Sequence, residues 1–389
     1  MTSQPSGGMF ATKPRIALVH DWLTGMRGGE KVLAALCQLY PDAPIWTLVY
    51  VRGSASPTIA RHLIHTSLLQ TMPRSGTLYR QYLPLFPLFA ELHKADASQL
   101  IVSTSHAVAK SMVKRHSGAR HICYIHTPMR YAWDLFEEYF GVERHGWFLS
   151  RCVYRPILSL IQRYDRATIG RVDLFVANSS FIAERVKRIY HRDAVVLPPP
   201  VAIDRFIALE RAPEDWYLVV SALVPYKRVA DAIHACHHLG RRLKVIGKGP
   251  EFDSLSQLAN SLGAPIEMLG ALDDEALADH YRRAKALLFP GIEDFGIVPL
   301  EAIAAGCPVI AYAHGGILDS MTSDTAVFYH QQTTEGLVDG ITRFEQKPEA
   351  FQTDVMRAHA SKFTEQAFII AFAKIANDLL SQPATGALT

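Results

Sequence analysis

The chain has 389 residues, comfortable for two domains and too long for one ordinary core, and its 49% hydrophobic and 20% charged content excludes wholesale disorder. The net charge of +3 hides an asymmetry: residues 1–200 hold 24 Lys and Arg against 13 Asp and Glu (+11), leaving 16 against 24 (−8) for residues 201–389. The basic first half favours an anionic partner or surface, while five scattered cysteines with no C-x-x-C pair argue against a zinc site or a disulfide framework and for a reducing cytoplasm.

The opening "MTSQPSGGMFATKP" lacks the apolar core of a signal peptide, so residues 1–13 read as a disordered leader. No 18-residue apolar run follows, hence no spanning helix is expected. From residue 14 the pattern alternates. "RIALVH" (15–20), "APIWTLVYV" (43–51), "QLIVSTS" (99–105), "HICYIHT" (121–127) and "DLFVANS" (173–179) are continuous apolar strands, as in a parallel sheet covered on both faces. Helical patterns lie between them, such as 28–40 and 180–190. The stretch 144–171 carries six arginines and one aspartate among apolar residues including Trp147, Phe148, Ile157, Leu158 and Ile161, and 79–94 is similarly mixed. Such a stretch is either a helix packed on its domain or a dock for an anionic membrane.

"VVLPPPVAIDRF" (195–206) stops the pattern, because three prolines deny ladder donors and stiffen the chain. The first domain is therefore placed at 14–198 and the second at 199–362. In the second, "WYLVVSAL" (216–223), "LKVIGKG" (243–249), "IEMLG" (266–270), "KALLFPG" (285–291) and "PVIAYAHGG" (308–316) are strands, with helices at 229–240, 252–263, 273–284 and 297–306. A closing helix is expected at 363–380 and a loose tail at 381–389. Two such βαβ halves predict an α/β chain of two Rossmann-like doubly wound sheets facing across a cleft, with ligands at the carboxyl ends of their strands. No nucleic-acid-binding motif appears, so nucleic acid is not an expected partner.

"FPGIEDFGIVPLEAIAAGCPVIAYAHGG" (289–316) is apolar, yet it carries Glu293 and Glu301 eight residues apart. Glu293 follows the carboxyl end of a buried strand. Pro299 suits only a first helical turn, so the helix starts near Ile297 or Val298, with Glu301 early in it. The N–H groups of Phe295, Gly296 and Ile297 are then available to a ligand. An ionised carboxylate only accepts hydrogen bonds, and hydroxyl-rich ligands such as sugars need acceptors. The bland reading is a dipole-complementing Glu301, worth about 0.5 kcal/mol, beside a solvated Glu293.

The segment "EDFGIVPLE" resembles the E-x7-E signature of the retaining glycosyltransferases of family 4, and the likeness runs from Arg15 to about Leu380. Within that family "HDWL…GGEKVL", "CYIHTPMRYAWD" and "VLPPPVAIDRF" are most similar to bacterial mannosyltransferases of O-antigen and exopolysaccharide assembly. The resemblance implies a GT-B fold, with acceptor on the first domain and nucleotide sugar on the second. It implies that Glu301 holds the ribose hydroxyls and that Glu293 lies by the donor sugar, with the backbone of Phe295, Gly296 and Ile297 on its hydroxyls or phosphate.

It further implies that Lys227 binds the donor diphosphate. The family often has Arg five residues earlier, where this chain has Ala222, and Arg228 is the candidate substitute. His126 matches the histidine near the reacting sugar, and Gly28 and Gly29 match a turn facing phosphate or sugar. Gly247 and Gly249 resemble one nucleotide-touching loop, and Leu269 belongs to another near the base. Arg130, Tyr131 and Trp133 line the acceptor pocket or pack the next helix.

No D-x-D triplet occurs, so no metal is expected. The activity implied is α-mannosyl transfer from GDP-mannose to a polyprenyl-diphosphate-linked saccharide, at the inner face of the cell membrane. UDP-glucose or UDP-N-acetylglucosamine donors, a GT-B epimerase and a non-catalytic scaffold are the alternatives.

Overall fold

Apolar runs of three to six residues give thirteen short strands among the described residues. They are β1 (Ile16–His20), β2 (Ile45–Thr47), β3 (Ile64–Thr66), β4 (Leu100–Ser105), β5 (Arg120–Ile125), β6 (Leu174–Ala177), β7 (Ala194–Val196), β8 (Tyr217–Val220), β9 (Leu243–Ile246), β10 (Ile266–Gly270), β11 (Leu287–Phe289), β12 (Val309–Tyr312) and β13 (Ala326–Tyr329). The computed structural model describes residues 15–95, 99–114, 119–134, 136–208 and 210–382. The expected leader and residues 383–389 of the expected tail lie outside them.

The strands form two sheets of the same plan. The first runs β3-β2-β1-β4-β5-β6-β7 and the second β10-β9-β8-β11-β12-β13. The pairs β1–β2, β1–β4, β2–β3 and β4–β5 are parallel, as are β8–β9, β8–β11, β9–β10, β11–β12 and β12–β13. Each sheet starts at its centre, steps to one edge, and then returns past the start to the other. The chain therefore reverses direction across the sheet at β1/β4 and at β8/β11, the position beyond whose strand ends open α/β sheets take their ligands.

All ten strands expected from the apolar runs are present, β10 over the expected residues and the other nine shorter by one to a few residues. The three not anticipated, β3, β7 and β13, are all sheet edges. β3 has no buried residue and β7 has two exposed valines, so neither needs the unbroken apolar run that marks a central strand. Helices form at Gly28–Leu39, Ser180–Tyr190, Val229–Leu239, Phe252–Ser261, Asp274–Arg283, Ile297–Ala304 and Glu365–Ser381, close to expectation. A further helix, Thr334–Gln346, is capped by the Thr333 hydroxyl accepting from the Gly336 N–H.

By compactness the chain divides into one unit that runs through Phe175 and resumes at Lys374, and a second, Val176–Ala373. That division falls ahead of the prolines at 198–200. Each unit has its own core. In the first, Trp22, Phe86, Ile101, Leu158 and Ile161 pack together; in the second, Phe206, Trp216, Tyr281, Phe289 and Leu300 do so.

The basic stretch 144–171 has two faces. Leu158 and Ile161 of the helix Arg155–Ala167 are buried, and Asp165 pairs with Lys110 out of solvent. Trp147 (64% exposed), Phe148 (66%) and Leu160 (63%) instead project into solvent. Packing and an exposed apolar surface thus coexist there. Among the described residues no helix is long and apolar enough to cross a membrane.

Candidate active site

At the reversal point of the second sheet, the loop after β8 turns through Pro225–Lys227 and brings Lys227 inward, 8% exposed. Its ammonium pairs with the carboxylate of Glu293, which follows β11. Glu301 lies one turn into the helix Ile297–Ala304 and is 6% exposed. A carboxylate so enclosed needs donors, and it has them. The Tyr281 hydroxyl donates to Oε2 at 3.3 Å, and Arg205 Nη2 is 3.8 Å from Oε1. Burial, and then the Glu301 charge, hold the Tyr281 hydroxyl well above its ordinary range, so it stays a donor. Lys227, singled out by the family resemblance, thus meets Glu293 beyond the strand ends of β8 and β11, and Glu301 stands one turn into the helix that follows β11.

The two glycines that close the 289–316 segment have a geometric role. Gly315 bridges to Glu293, and the Gly316 N–H donates to the Glu293 carbonyl at 2.8 Å. A Cβ on Gly315 would stand 2.6 Å from that carbonyl oxygen, and one on Gly316 would stand 2.2 Å from the Asp294 oxygen. The loop bearing Glu293 is thus laid directly on the backbone after β12. Gly296, at φ +93°, turns this loop into the helix, a conformation that favours glycine. The Phe295 side chain is buried in the core, so its backbone is what it can offer a ligand.

Gly247 and Gly249 are accounted for by packing. A Cβ on Gly247 would meet the Ser221 carbonyl oxygen at 1.8 Å, and one on Gly249 the Leu223 carbonyl oxygen at 2.2 Å. The loop after β9 lies flush on the loop after β8, held by Leu223 N–H to Lys248 O at 3.0 Å. Leu269 packs against the second core. Arg228 has φ +53° at the start of the helix Val229–Leu239, and its guanidinium is paired with Asp231 of that helix.

At the reversal point of the first sheet a histidine cluster assembles. Asp21, just past β1, is fully buried. Its oxygens accept from the backbone N–H groups of His106 (2.7 Å), Ala107 (3.0 Å), Val108 (2.7 Å) and Ala109 (2.7 Å), fixing the loop after β4. His106 Nδ1 lies 3.1 Å from the same carboxylate. His20 Nδ1 is 2.6 Å from the Thr104 hydroxyl, and its Nε2 is 4.0 Å from Glu30 Oε1. Glu30 also accepts from the Arg27 N–H at 3.0 Å. Burial pushes the Glu30 carboxyl up, but the His20 imidazole 4.0 Å away, joined by Glu30's own backbone N–H and His106, outweighs it and brings it down to about 2.

His126 follows β5. A Cβ on Gly29 would sit 3.3 Å from His126 Nε2 and 3.6 Å from His20 Cε1. Burial, then the neighbouring His106 and His20, lower the His126 imidazole to about 3, so it is neutral at physiological pH and able to donate or accept. Gly29 and His126 are therefore brought together, with Gly28 opening the same helix. His20, Asp21, Glu30 and His106 were not singled out by sequence. For His20, Asp21 and His106 the signal is the "VHD" and "STSH" ends of β1 and β4, polar residues abutting apolar runs, and for Glu30 it is an acid in the first turn of the helix after "RGG". Arg130 and Tyr131 lie in the short helix Arg130–Trp133; Tyr131 and Trp133 pack on the first core, and Trp133 Nε1 donates to Asp165 at 2.9 Å.

The Glycosyltransferase Family 4 model matches residues 26–205, and the Glycosyl transferases group 1 model matches residues 202–364. The human Alpha-1,3/1,6-mannosyltransferase ALG2 is 26% identical over 258 residues, 57% of this chain and 61% of that protein. A GDP-mannose-dependent alpha-(1-6)-phosphatidylinositol monomannoside mannosyltransferase of Mycolicibacterium smegmatis is 33% identical over 156 residues, 32% of this chain and 41% of that protein. The matches thus span less than two thirds of these curated relatives. Among solved structures, sucrose-phosphate synthase from Thermosynechococcus elongatus aligns with a TM-score of 0.69 and 16% identity, over 95% of this chain and 100% of that one, a likeness of fold.

Proposed function

We propose that this chain, which belongs to the GT-B glycosyltransferases, transfers mannose from GDP-mannose to a polyprenyl-diphosphate-linked saccharide, forming an α linkage with retention. The observation that carries the reading is the pairing of Lys227 with Glu293 where the second sheet reverses, with buried Glu301 one turn into the helix after β11. These are a cation for a leaving diphosphate and two acceptors for hydroxyls. The mannose choice is supported by the names of the two mannosyltransferase relatives.

In this reading Glu301 accepts from the ribose hydroxyls and Glu293 from the donor sugar, with the backbone of Phe295, Gly296 and Ile297 beside it. Lys227 exchanges Glu293 for the diphosphate and stabilises the charge that builds as the sugar–phosphate bond breaks. Neutral His126 and the Gly28–Gly29 turn serve the reacting sugar. Gly247, Gly249, Arg228 and Leu269 belong to the loops around the nucleotide, and Arg130 and Tyr131 to the acceptor. The bond from C1 to the phosphate oxygen breaks, and the acceptor oxygen bonds C1 on the same face. The acceptor's proton passes to the departing phosphate. No metal takes part: Lys227 and helix N-termini carry the diphosphate charge.

The enzyme works peripherally on the inner face of the cell membrane. Exposed Trp147, Phe148 and Leu160 beside Arg151, Arg155 and Arg163 support this.

The test offers GDP-mannose, UDP-glucose and UDP-N-acetylglucosamine with membrane lipid extract, with and without EDTA, and assigns the new linkage by NMR. An α-mannoside formed equally well in EDTA is expected. A β product overturns the mechanism, an α product only from a UDP-sugar overturns the donor, and turnover of the donor without acceptor points to an epimerase.

A further inference from the structure

Arg205 stands in the "VLPPPVAIDRF" stretch, to which the reading above gives no role. It lies in the short helix Asp204–Ile207, its guanidinium over the Phe206 ring at 4.6 Å from the centroid. Phe206, fully buried, meets the Tyr281 ring edge-on at 5.6 Å. Nη1 holds the carboxylate of Asp274, the first residue of the helix after β10. Nη2 reaches toward Glu301 Oε1 at 3.8 Å, while Nε is buried and has no hydrogen-bond partner. Glu301 thus has the Arg205 guanidinium beside one oxygen, at ion-pair distance, and the Tyr281 hydroxyl donating to the other.

We infer that Arg205 is a positioning residue of the nucleotide pocket. It sets the plane of the Glu301 carboxylate for a ribose diol and links that carboxylate to the Asp274 loop. The inference deepens the proposed function and rests on its assignment of Glu301 to the ribose. Arginine suits the task where lysine does not. A planar fork stacked on an aromatic ring holds two carboxylates at a set angle, whereas an ammonium is a point charge on a free stem. Asp274 is 76% exposed at its side chain, so its pairing is screened and serves orientation more than stability.

The experiment measures calorimetric affinities of the full chain for GDP and 2′-deoxy-GDP, and for UDP and 2′-deoxy-UDP. The native chain should favour the ribonucleotide by about tenfold, the scale of one charge-assisted hydrogen bond. Glu301→Gln should largely erase that preference. Arg205→Gln and Arg205→Lys should lower it to about threefold while leaving 2′-deoxynucleotide affinity within about twofold. Thermal melting checks each variant's fold, and Arg205→Lys decides the case if Arg205→Gln does not fold.

A full ribose preference in the folded Arg205 variants overturns the inference. Equal losses for both nucleotides also overturn it, by making Arg205 a direct ligand of the nucleotide's anion or base. Full preference in Glu301→Gln instead overturns the ribose assignment itself. Failure of the native chain to bind any of the four overturns the proposed function and this inference together.

Discussion

Glu30→Gln replaces a charge by an amide of the same shape at a site that is 4% exposed. The amide oxygen can still accept from the Arg27 N–H, so the change isolates the charge. Burial raises this carboxyl and His20 lowers it further, leaving it at about 2 against an ordinary 4.5. At about 1.4 kcal/mol per tenfold in proton affinity, the ionised form stabilises the fold by about 3 kcal/mol. A carboxyl depressed in the folded state contributes stability that is complete above its unfolded value of 4.5 and is lost as pH falls toward 2. Urea unfolding of the full chain, followed by circular dichroism, should find the variant less stable by about 3 kcal/mol at neutral pH, with the gap to the native chain closing below pH 4.5. Native stability of the variant at neutral pH would refute the argument. A gap that stays constant into the acid range would assign the loss to packing.

Lys227→Ala should cut kcat by at least about 100-fold while Arg228→Ala stays within about threefold, because the Arg228 guanidinium is committed to Asp231 of its own helix. Equal losses in steady-state kinetics would show Arg228 standing in for the arginine missing at Ala222. Gly249→Ala should destabilise the second unit by about 2–4 kcal/mol, since its Cβ would meet the Leu223 carbonyl oxygen at 2.2 Å; an unchanged melting temperature would contradict the packing account of that loop. Binding to anionic vesicles should weaken with salt and be abolished by replacing Arg151, Arg155 and Arg163 with Glu. Unchanged sedimentation with vesicles would return that stretch to internal packing alone.

The centres of both sheets can be read from sequence because a parallel strand covered on both faces must be a continuous apolar run. The edges β3, β7 and β13 escape that reading because they are under no such demand. Glu293, Glu301 and Lys227 were accessible for a related reason: the end of a buried strand and a helix-starting proline locate them on the same side of one sheet. Gly247 and Gly249 show the limit. Their partners at Ser221 and Leu223 lie on a neighbouring strand's loop, and no local pattern reports a backbone passing that closely. The Asp21, His20, Glu30 and His106 cluster is hidden in the same way. His20, Asp21 and His106 look like ordinary polar residues at the ends of runs until strand order sets β1 beside β4, and Glu30 looks like an ordinary first-turn helix acid.

The pairing of Lys227 with Glu293 has a consequence for discrimination. A bare lysine in a crevice would bind whatever phosphate the cell holds in greatest supply. Here an intruding anion must first take the ammonium from a carboxylate, and that carboxylate, 27% exposed at its side chain, is then left to water unless the ligand donates to it. On the proposed reading inorganic phosphate brings at most its own P–OH groups, and a nucleoside triphosphate would place its ribose at Glu301 and no sugar at Glu293. A sugar nucleotide brings an anion for the lysine and hydroxyls for the glutamate in one molecule. On the proposed reading, the resting ion pair makes the site a lock that opens to both halves of its donor at once, and selectivity against free phosphates follows without any residue dedicated to rejecting them.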